Sequence, residues 1–157
     1  MTTLDLAALF PGPGAHLPEL LTTDHLPLAE LHSARLHGEL FALEDGFIPA
    51  DIPETSRLRA RALAHSLPPL RDRDALCAVG DTARWIHDMD EPRPARHTLR
   101  GIFPHRVWQW SSARIEVLPG SVPEHARVRI GGMWTERHHR PTAHPPAPSA
   151  DTQVGHG

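Results

Sequence analysis

The sequence predicts an α+β protein, because helical patterns in its first half give way to short strand patterns in its second half. Apolar residues recur at helical spacing within residues 27–38, 55–67 and 80–92, whereas β-branched and aromatic runs follow between 97 and 136. We therefore expect a winged-helix-like segment at 1–50 and an α/β region at 51–140. Residues 141–157 are rich in proline and small polar residues and lack an apolar period, which predicts a disordered tail.

The length and charge of the chain limit what it can be. Its 157 residues can form one core of ordinary size, so a single folded unit is expected. All 16 basic residues are arginine, and the formal net charge is −3. This balance argues against a uniformly basic surface for nucleic acid or an anionic membrane, although it leaves a local basic patch open.

The single cysteine and the lack of a long apolar run predict a cytoplasmic, soluble protein. Cys77 has no second cysteine with which to form an intramolecular disulfide, and the Met1 end carries no secretory pattern. No stretch reaches the roughly 20 apolar residues that a membrane-spanning helix needs. Cys77 lies in the apolar run 75–79, so we interpret it as a structural core residue with a raised pKa.

A helix followed by a hairpin is predicted in the N-terminal segment. Leu28, Leu31 and Ala34 share a helix face, and Gly38 offers a stop. Two apolar runs then flank Asp45-Gly46, a strong hairpin signal. A winged helix-turn-helix ends in this way, but so do many local arrangements that bind no nucleic acid.

The second helix, over residues 55–67, is predicted to be amphipathic. Its apolar face is formed by Ala60, Leu63, Ala64 and Leu67. Arg57 and Arg61 lie off that face. They could contact phosphate or an acidic partner, and the alternative is that they form a solvated surface.

Residues 80–97 contain both a buried stripe and a candidate metal set. The stripe at helical spacing consists of Thr82, Trp85, Ile86 and Met89. On the opposite face His87 and Glu91 stand four residues apart, a spacing that can hold a metal, with His97 as a third ligand. Paired cysteines and an HExxH motif are lacking, so a solvated helix end closed by Pro92 is the alternative.

Four short runs downstream predict a small sheet or meander: residues 97–103, 106–110, 113–119 and 126–136. Gly131 and Gly132 are expected to bend the last run. The sequence has no GxSxG elbow, no Walker A loop and no GxGxxG after a strand. We therefore expect a protein that is not an enzyme and needs no cofactor.

The order of these features resembles actinobacterial proteins of the AbiEi family, the antitoxins of type IV toxin-antitoxin systems. The resemblance rests on the segments HGELFALEDGFIPAD, ETSRLRARALAHSLPP, ALCAVGDTARWIHDMDEP, HTLRGI and ARVRIGGMWTE. Trp85 and His87 match the family's Ala-Ala-Trp-Leu/Val-His-Gly pattern, whereas Arg84 and Asp88 depart from it. The chain would then be a shortened or diverged relative, and 51–140 would correspond to part of the family's C-terminal domain.

The resemblance implies a transcriptional regulator that binds its own promoter and opposes a nucleotidyltransferase toxin without binding it tightly. The arginines expected to contact DNA phosphates are Arg35, Arg57, Arg59 and Arg61. Two alternatives stay open. One is a protein-interaction module whose contact surface uses Trp108, Trp110 and Trp134. The other is a metal-dependent enzyme that uses His87, Glu91 and His97.

Overall fold

The structure is a computed structural model that describes residues 17–67, 73–88, 90–102 and 113–138. This part of the chain is mixed α+β and contains three α-helices and two sheets, which confirms the predicted fold class. The helices are α1 (Leu28–Leu36), α2 (Ser56–Ser66) and α3 (Gly80–His87). The strands are β1 (Leu40–Leu43), β2 (Gly46–Pro49), β3 (Leu76–Ala78), β4 (His97–Gly101), β5 (Ile115–Pro119), β6 (Arg127–Ile130) and β7 (Met133–Glu136).

The predicted helix and hairpin of the N-terminal segment are both present. Strands β1 and β2 pair antiparallel, with Leu43 opposite Gly46, so the connecting loop has only two residues. Within this loop, Glu44 has a positive φ of 53°. Gly46 is needed for a different reason, since a Cβ there would lie 2.7 Å from the Leu20 side chain. Leu21 extends the hairpin through two backbone hydrogen bonds with Phe47.

Helix α2 begins at a side-chain cap that the sequence favours. The Thr55 hydroxyl accepts a hydrogen bond from the backbone N–H of Leu58 at 3.2 Å, which satisfies one donor of the first turn. The helix buries a wider surface than its apolar stripe predicts, because Leu58 and Arg59 are buried together with Ala60 and Leu63.

Helix α3 is shorter than the pattern over residues 80–92 predicts. It ends at His87, and Asp88 has extended backbone angles. Glu91 therefore lies beyond the helix, so His87 and Glu91 do not share a helix face. Thr82, Trp85 and Ile86 are buried as the stripe requires. Met89 lies outside the described residues.

The larger sheet has five strands in the order β5-β4-β3-β7-β6. It is not a meander: β4 pairs parallel with β5 and β3 pairs parallel with β7, while the remaining two pairs are antiparallel. Helices α2 and α3 both pack on this sheet, α2 against β6 and β7, and α3 against β4 and β7. Gly131 and Gly132 form a turn between β6 and β7, so the run predicted as one bent strand is two antiparallel strands.

The main core is shared between the N-terminal segment and the sheet. Leu20, Leu43 and Ile48 belong to the same buried cluster as Trp85 and Leu99. We call the sheet face that packs in this cluster, with α2 and α3, the inner face, and the opposite one the outer face. A smaller cluster around Leu21, Leu31 and Phe47 stabilises α1 against the hairpin.

Several predicted features lie outside the described residues. These are the predicted strand at 106–110 with Trp108 and Trp110, and the tail at 141–157. Within the described ranges, none of the helices combines the length and apolarity needed to cross a membrane.

Candidate functional site

Arg35 and Arg57 are the two predicted DNA contacts that the structure leaves on the surface. Arg35 is exposed in the last turn of α1, and Arg57 is exposed in the first turn of α2. Arg57 also lies close to the turn between β6 and β7, because its carbonyl oxygen is 2.4 Å from where a Cβ on Gly131 would stand. Both guanidinium groups can reach a ligand in solvent.

Arg59 does not belong to this surface, which corrects its assignment as a phosphate contact. Its side chain is buried between α2 and α3, with 8% of its area exposed. It donates to the carbonyl oxygens of Trp85 and Asp88, and pairs with Glu54. Its guanidinium also lies 5.1 Å from the Trp85 ring centroid, a cation-π distance. Arg59 therefore joins the two helices instead of contacting DNA.

Arg61 occupies an intermediate position. Its Nη1 atom lies 3.4 Å from a carboxylate oxygen of Glu19, and 37% of its side chain is exposed. An exposed pair of this kind contributes about 0.2 to 1 kcal/mol and is easily exchanged for another anion. Arg61 can therefore contact a ligand, but only in competition with Glu19.

The strongest electrostatic feature of the described residues is a buried carboxylate in the hairpin loop. Glu44 has 1% of its side chain exposed and is paired with Arg93, His97 and Arg114, a set that we call the Glu44 cluster. The Arg93 Nε atom lies 2.7 Å from Oε1, and the Arg114 Nη2 atom lies 2.7 Å from Oε2. A second Arg114 nitrogen lies 3.2 Å from Asp45. The cluster anchors the hairpin tip to the sheet.

His97 is the buried member of the Glu44 cluster. Its Nε2 atom lies 3.0 Å from Oε1 of Glu44, and its ring packs 5.1 Å from the ring of Trp85. Its Nδ1 atom is buried without a hydrogen-bond partner. Trp85 is 1% exposed and contacts both His97 and Arg59, so it is a structural residue at the junction of hairpin, helix and sheet.

The candidate metal ligands His87, Glu91 and His97 do not form a site. His87 shares a hydrogen bond of 2.9 Å between its Nε2 atom and the Glu136 carbonyl oxygen. His97 is engaged with Glu44, and Glu91 lies past the end of α3. Within the described ranges there is no group of three or more His, Cys, Asp or Glu residues that could hold a metal ion.

Cys77 lies on the outer face of β3 and is buried under residues that include Val122 and Trp134. The pKa of the thiol is raised from an ordinary 9.0 to about 11, mainly by burial and also by the charge of Glu136, while Arg127 opposes the change. A thiol with a raised pKa is a poor nucleophile at neutral pH. These observations support a structural role for Cys77.

Trp134 does not present a free aromatic surface. It lies on the outer face of β7, with the Arg127 guanidinium 4.4 Å and the Arg129 guanidinium 5.6 Å from its ring centroid. Arg129 is also paired with Asp74 at 2.8 Å. Of the three tryptophans proposed as an interaction surface, the one that is described is therefore already covered by neighbouring side chains.

Sequence reasoning missed the Glu44 cluster completely. Glu44 stands next to the Asp45-Gly46 hairpin signal, while its partners are 49, 53 and 70 residues away. An acidic residue in a hairpin loop is normally solvated, and nothing in the local pattern indicates that the tip is covered by the sheet.

Comparisons of the chain with protein-family models, with curated proteins and with solved structures found no match. The resemblance of the sequence to the AbiEi family therefore rests on the quoted motifs alone.

Proposed function

We propose that the chain is a non-catalytic, antitoxin-like transcriptional regulator that binds promoter DNA through α1 and the start of α2. The observation that carries this proposal is the order of α1 and the hairpin, with an exposed arginine at the end of α1 and another just after the hairpin. In winged-helix proteins a helix before the hairpin enters the major groove while nearby basic residues contact the backbone. The partner system would include a nucleotidyltransferase toxin.

The contact set of this proposal is smaller than the sequence suggests. Arg59 is buried, so Arg35 and Arg57 supply the positive charge that contacts DNA. Arg61 adds to this charge when its ion pair with Glu19 breaks. The hairpin tip does not enter a groove, because Glu44 and the sheet hold it. With so few phosphate contacts and a net charge of −3, binding is expected to be weak, with a slope of log K against log salt of only about −2 to −3.

The test is a fluorescence-anisotropy titration of the duplex upstream of the protein's own gene, repeated over a series of salt concentrations. We expect salt-dependent binding, and in the double variant Arg35→Ala/Arg57→Ala we expect the slope of log K against log salt to fall by about 2, since each phosphate contact contributes about 0.9. The wild type should bind an unrelated duplex of equal length more weakly than it binds the upstream duplex.

The matched control is Arg129→Ala, which removes an equally exposed arginine from β6, on the five-stranded sheet. It should leave both the affinity and the salt slope unchanged. Absence of salt-sensitive binding by the wild type, or an equal loss in Arg129→Ala, would contradict DNA binding through α1 and α2.

A second candidate function is a protein-interaction module without DNA binding. Four large hydrophobic side chains are exposed among the described residues, and Leu28, Leu36 and Phe41 of these belong to α1 and β1. Exposed apolar side chains become favourable contacts when a partner covers them. This candidate becomes the better one if the wild type fails to bind either duplex.

A further inference from the structure

A cleft of about 490 Å³ opens on the outer face of the five-stranded sheet. It lies between β4, the start of α3 and the segment that follows β5. The volume lies within the range of small-ligand sites, which is roughly 300 to 1,000 Å³. None of the DNA-contact candidates and no member of the Glu44 cluster lines it.

The floor of the cleft follows from the alternation of β4. His97, Leu99 and Gly101 are buried on the inner face, whereas Thr98 and Arg100 line the cleft on the outer face. Strand pairing places Arg100 opposite Leu118 of β5 and opposite Cys77 of β3. The guanidinium of Arg100 therefore rises from the middle of a sheet, next to an apolar side chain.

No carboxylate of the described residues pairs with Arg100, and its buried Nε atom has no hydrogen-bond partner, as is also true of Arg127. Arg129 is paired with Asp74 at 2.8 Å, Arg127 stacks on Trp134, and Arg96 lies 4.0 Å from Glu116 at the rim of the cleft. Among the described residues the guanidinium of Arg100 has neither an ion pair nor an aromatic ring against it, in contrast to these three.

The walls of the cleft add apolar surface and limit the charge of a ligand. Leu118, Val122 and Pro123 form an apolar side. The carboxylates of Asp81 and Glu136 also line the cleft, and Glu136 accepts a hydrogen bond from the Gly80 N–H at 3.1 Å, so the N-terminus of α3 is already occupied. These two carboxylates repel a doubly charged anion more than a singly charged one.

We propose that this cleft binds a small organic carboxylate. The carboxylate accepts hydrogen bonds from the Arg100 guanidinium, with Arg96 adding positive charge at the rim, and the apolar body of the ligand packs against Leu118, Val122 and Pro123. The planar guanidinium matches a carboxylate through two parallel hydrogen bonds.

The experiment is a ¹H–¹⁵N correlation titration of the full chain with benzoate, its neutral analogue benzamide and inorganic phosphate. We expect benzoate to shift the amide signals of residues 79–81, 98–100, Leu118 and 120–122 in a saturable way. Benzamide and phosphate should cause at most a tenth of that effect at equal concentration, because one lacks the charge and the other lacks the apolar body.

Variants then assign the charge recognition. Arg100→Gln should weaken benzoate binding tenfold or more, whereas the control Arg129→Gln, in the same cross-strand row of the sheet, should change it less than twofold. Arg100→Lys keeps the charge but not the paired donors, so an intermediate loss is expected. Leu118→Ala should weaken benzoate binding without creating phosphate binding, and it tests the site independently of Arg100.

The proposal is overturned by any of three results. These are equal shifts with benzamide, equal shifts with phosphate, and benzoate binding that survives in folded Arg100→Gln and Arg100→Lys. Retention of folding in each variant is checked by circular dichroism and by the dispersion of the amide signals.

Discussion

The Glu44 cluster and the Arg100 cleft place charge in the sheet region in opposite ways. In the cluster one buried carboxylate is shared by two guanidinium groups and an imidazole, and it closes the hairpin onto the sheet. In the cleft the Arg100 guanidinium rises from the sheet and forms no ion pair with a carboxylate of the described residues, although Asp81 and Glu136 also line the cleft. In the Glu44 cluster the charges are paired with one another, whereas in the cleft the Arg100 guanidinium can donate hydrogen bonds to a ligand.

The difference teaches which charged residues of this chain are structural. A buried charge is tolerated when several partners replace its hydration, as they do for Glu44 and also for Arg59 between α2 and α3. Removing one partner from such a set leaves the others unsatisfied. A residue whose polar atoms lack partners contributes little to stability through those atoms, so its substitution should be tolerated by the fold.

The largest expected effect is that of Glu44→Ala. The substitution leaves the buried Nε2 atom of His97 without its acceptor and leaves Arg93 and Arg114 without their common carboxylate. We expect the free energy of unfolding, measured by urea denaturation, to fall by about 3 kcal/mol, as for other broken buried pairs. The free energy of unfolding of Glu44→Gln should lie between that of Glu44→Ala and that of the wild type, because the amide oxygen still accepts a hydrogen bond.

Asp45→Ala is the matched control for this prediction. Asp45 is the adjacent loop residue and also pairs with Arg114, at 3.2 Å, but 55% of its side chain is exposed. An exposed pair contributes at most about 1 kcal/mol. If Asp45→Ala destabilised the protein as much as Glu44→Ala, burial of the carboxylate would not be what makes the Glu44 cluster important.

A smaller decrease in the free energy of unfolding, of about 2 kcal/mol, is expected when Cys77 loses its proton. Cys77 stands opposite Arg100 in the pairing of β3 with β4. Burial raises the pKa of the folded thiol from 9.0 to about 11, so the folded state holds its proton more tightly than the unfolded state. The contribution is complete below pH 9, and the free energy of unfolding falls as the pH rises from about 9 to about 11. One pKa unit corresponds to about 1.4 kcal/mol.

The composition of the chain allows this decrease to be assigned to the thiol. The chain has neither lysine nor tyrosine, so no other side chain titrates strongly between pH 9 and 11. Urea denaturation at pH 8.5 and 11 should therefore show the decrease in the wild type and not in Cys77→Ala. A decrease of equal size in both proteins would mean that the thiol on the outer face is not desolvated.

Local patterns predicted much of the fold because they involve neighbouring residues. Periodicity placed the three helices, the Asp45-Gly46 signal placed the hairpin, and the apolar run 75–79 placed β3. The boundary of α3 was wrong because the pattern continues to Glu91 while the backbone turns at Asp88. The parallel pairings of the sheet were missed, since they depend on contacts far apart in the sequence.

The candidate site was harder to predict, because the same residue type has different environments in one helix. Arg57, Arg59 and Arg61 stand two residues apart in α2, yet the first is exposed, the second is buried against Trp85, and the third is paired with Glu19. An arginine at the edge of an apolar stripe can be buried when carbonyl oxygens and a ring accept it, and sequence shows none of those partners.

The smallest expected effect on stability is that of Arg100→Gln, and it completes the contrast with Glu44. Because Arg100 has an unsatisfied buried Nε atom and no ion pair among the described residues, replacing it removes no favourable interaction of that kind. The shorter glutamine gives up some packing of the arginine stem, which lies 3.7 Å from the position of a Cβ on Gly120. We expect the free energy of unfolding to change by less than about 0.5 kcal/mol, the usual range of surface substitutions, in the same urea assay that detects Glu44→Ala. A decrease of more than about 2 kcal/mol in the free energy of unfolding would show that Arg100 is a structural residue. Its guanidinium would then already be engaged within the fold and would not be free to bind a ligand in the cleft.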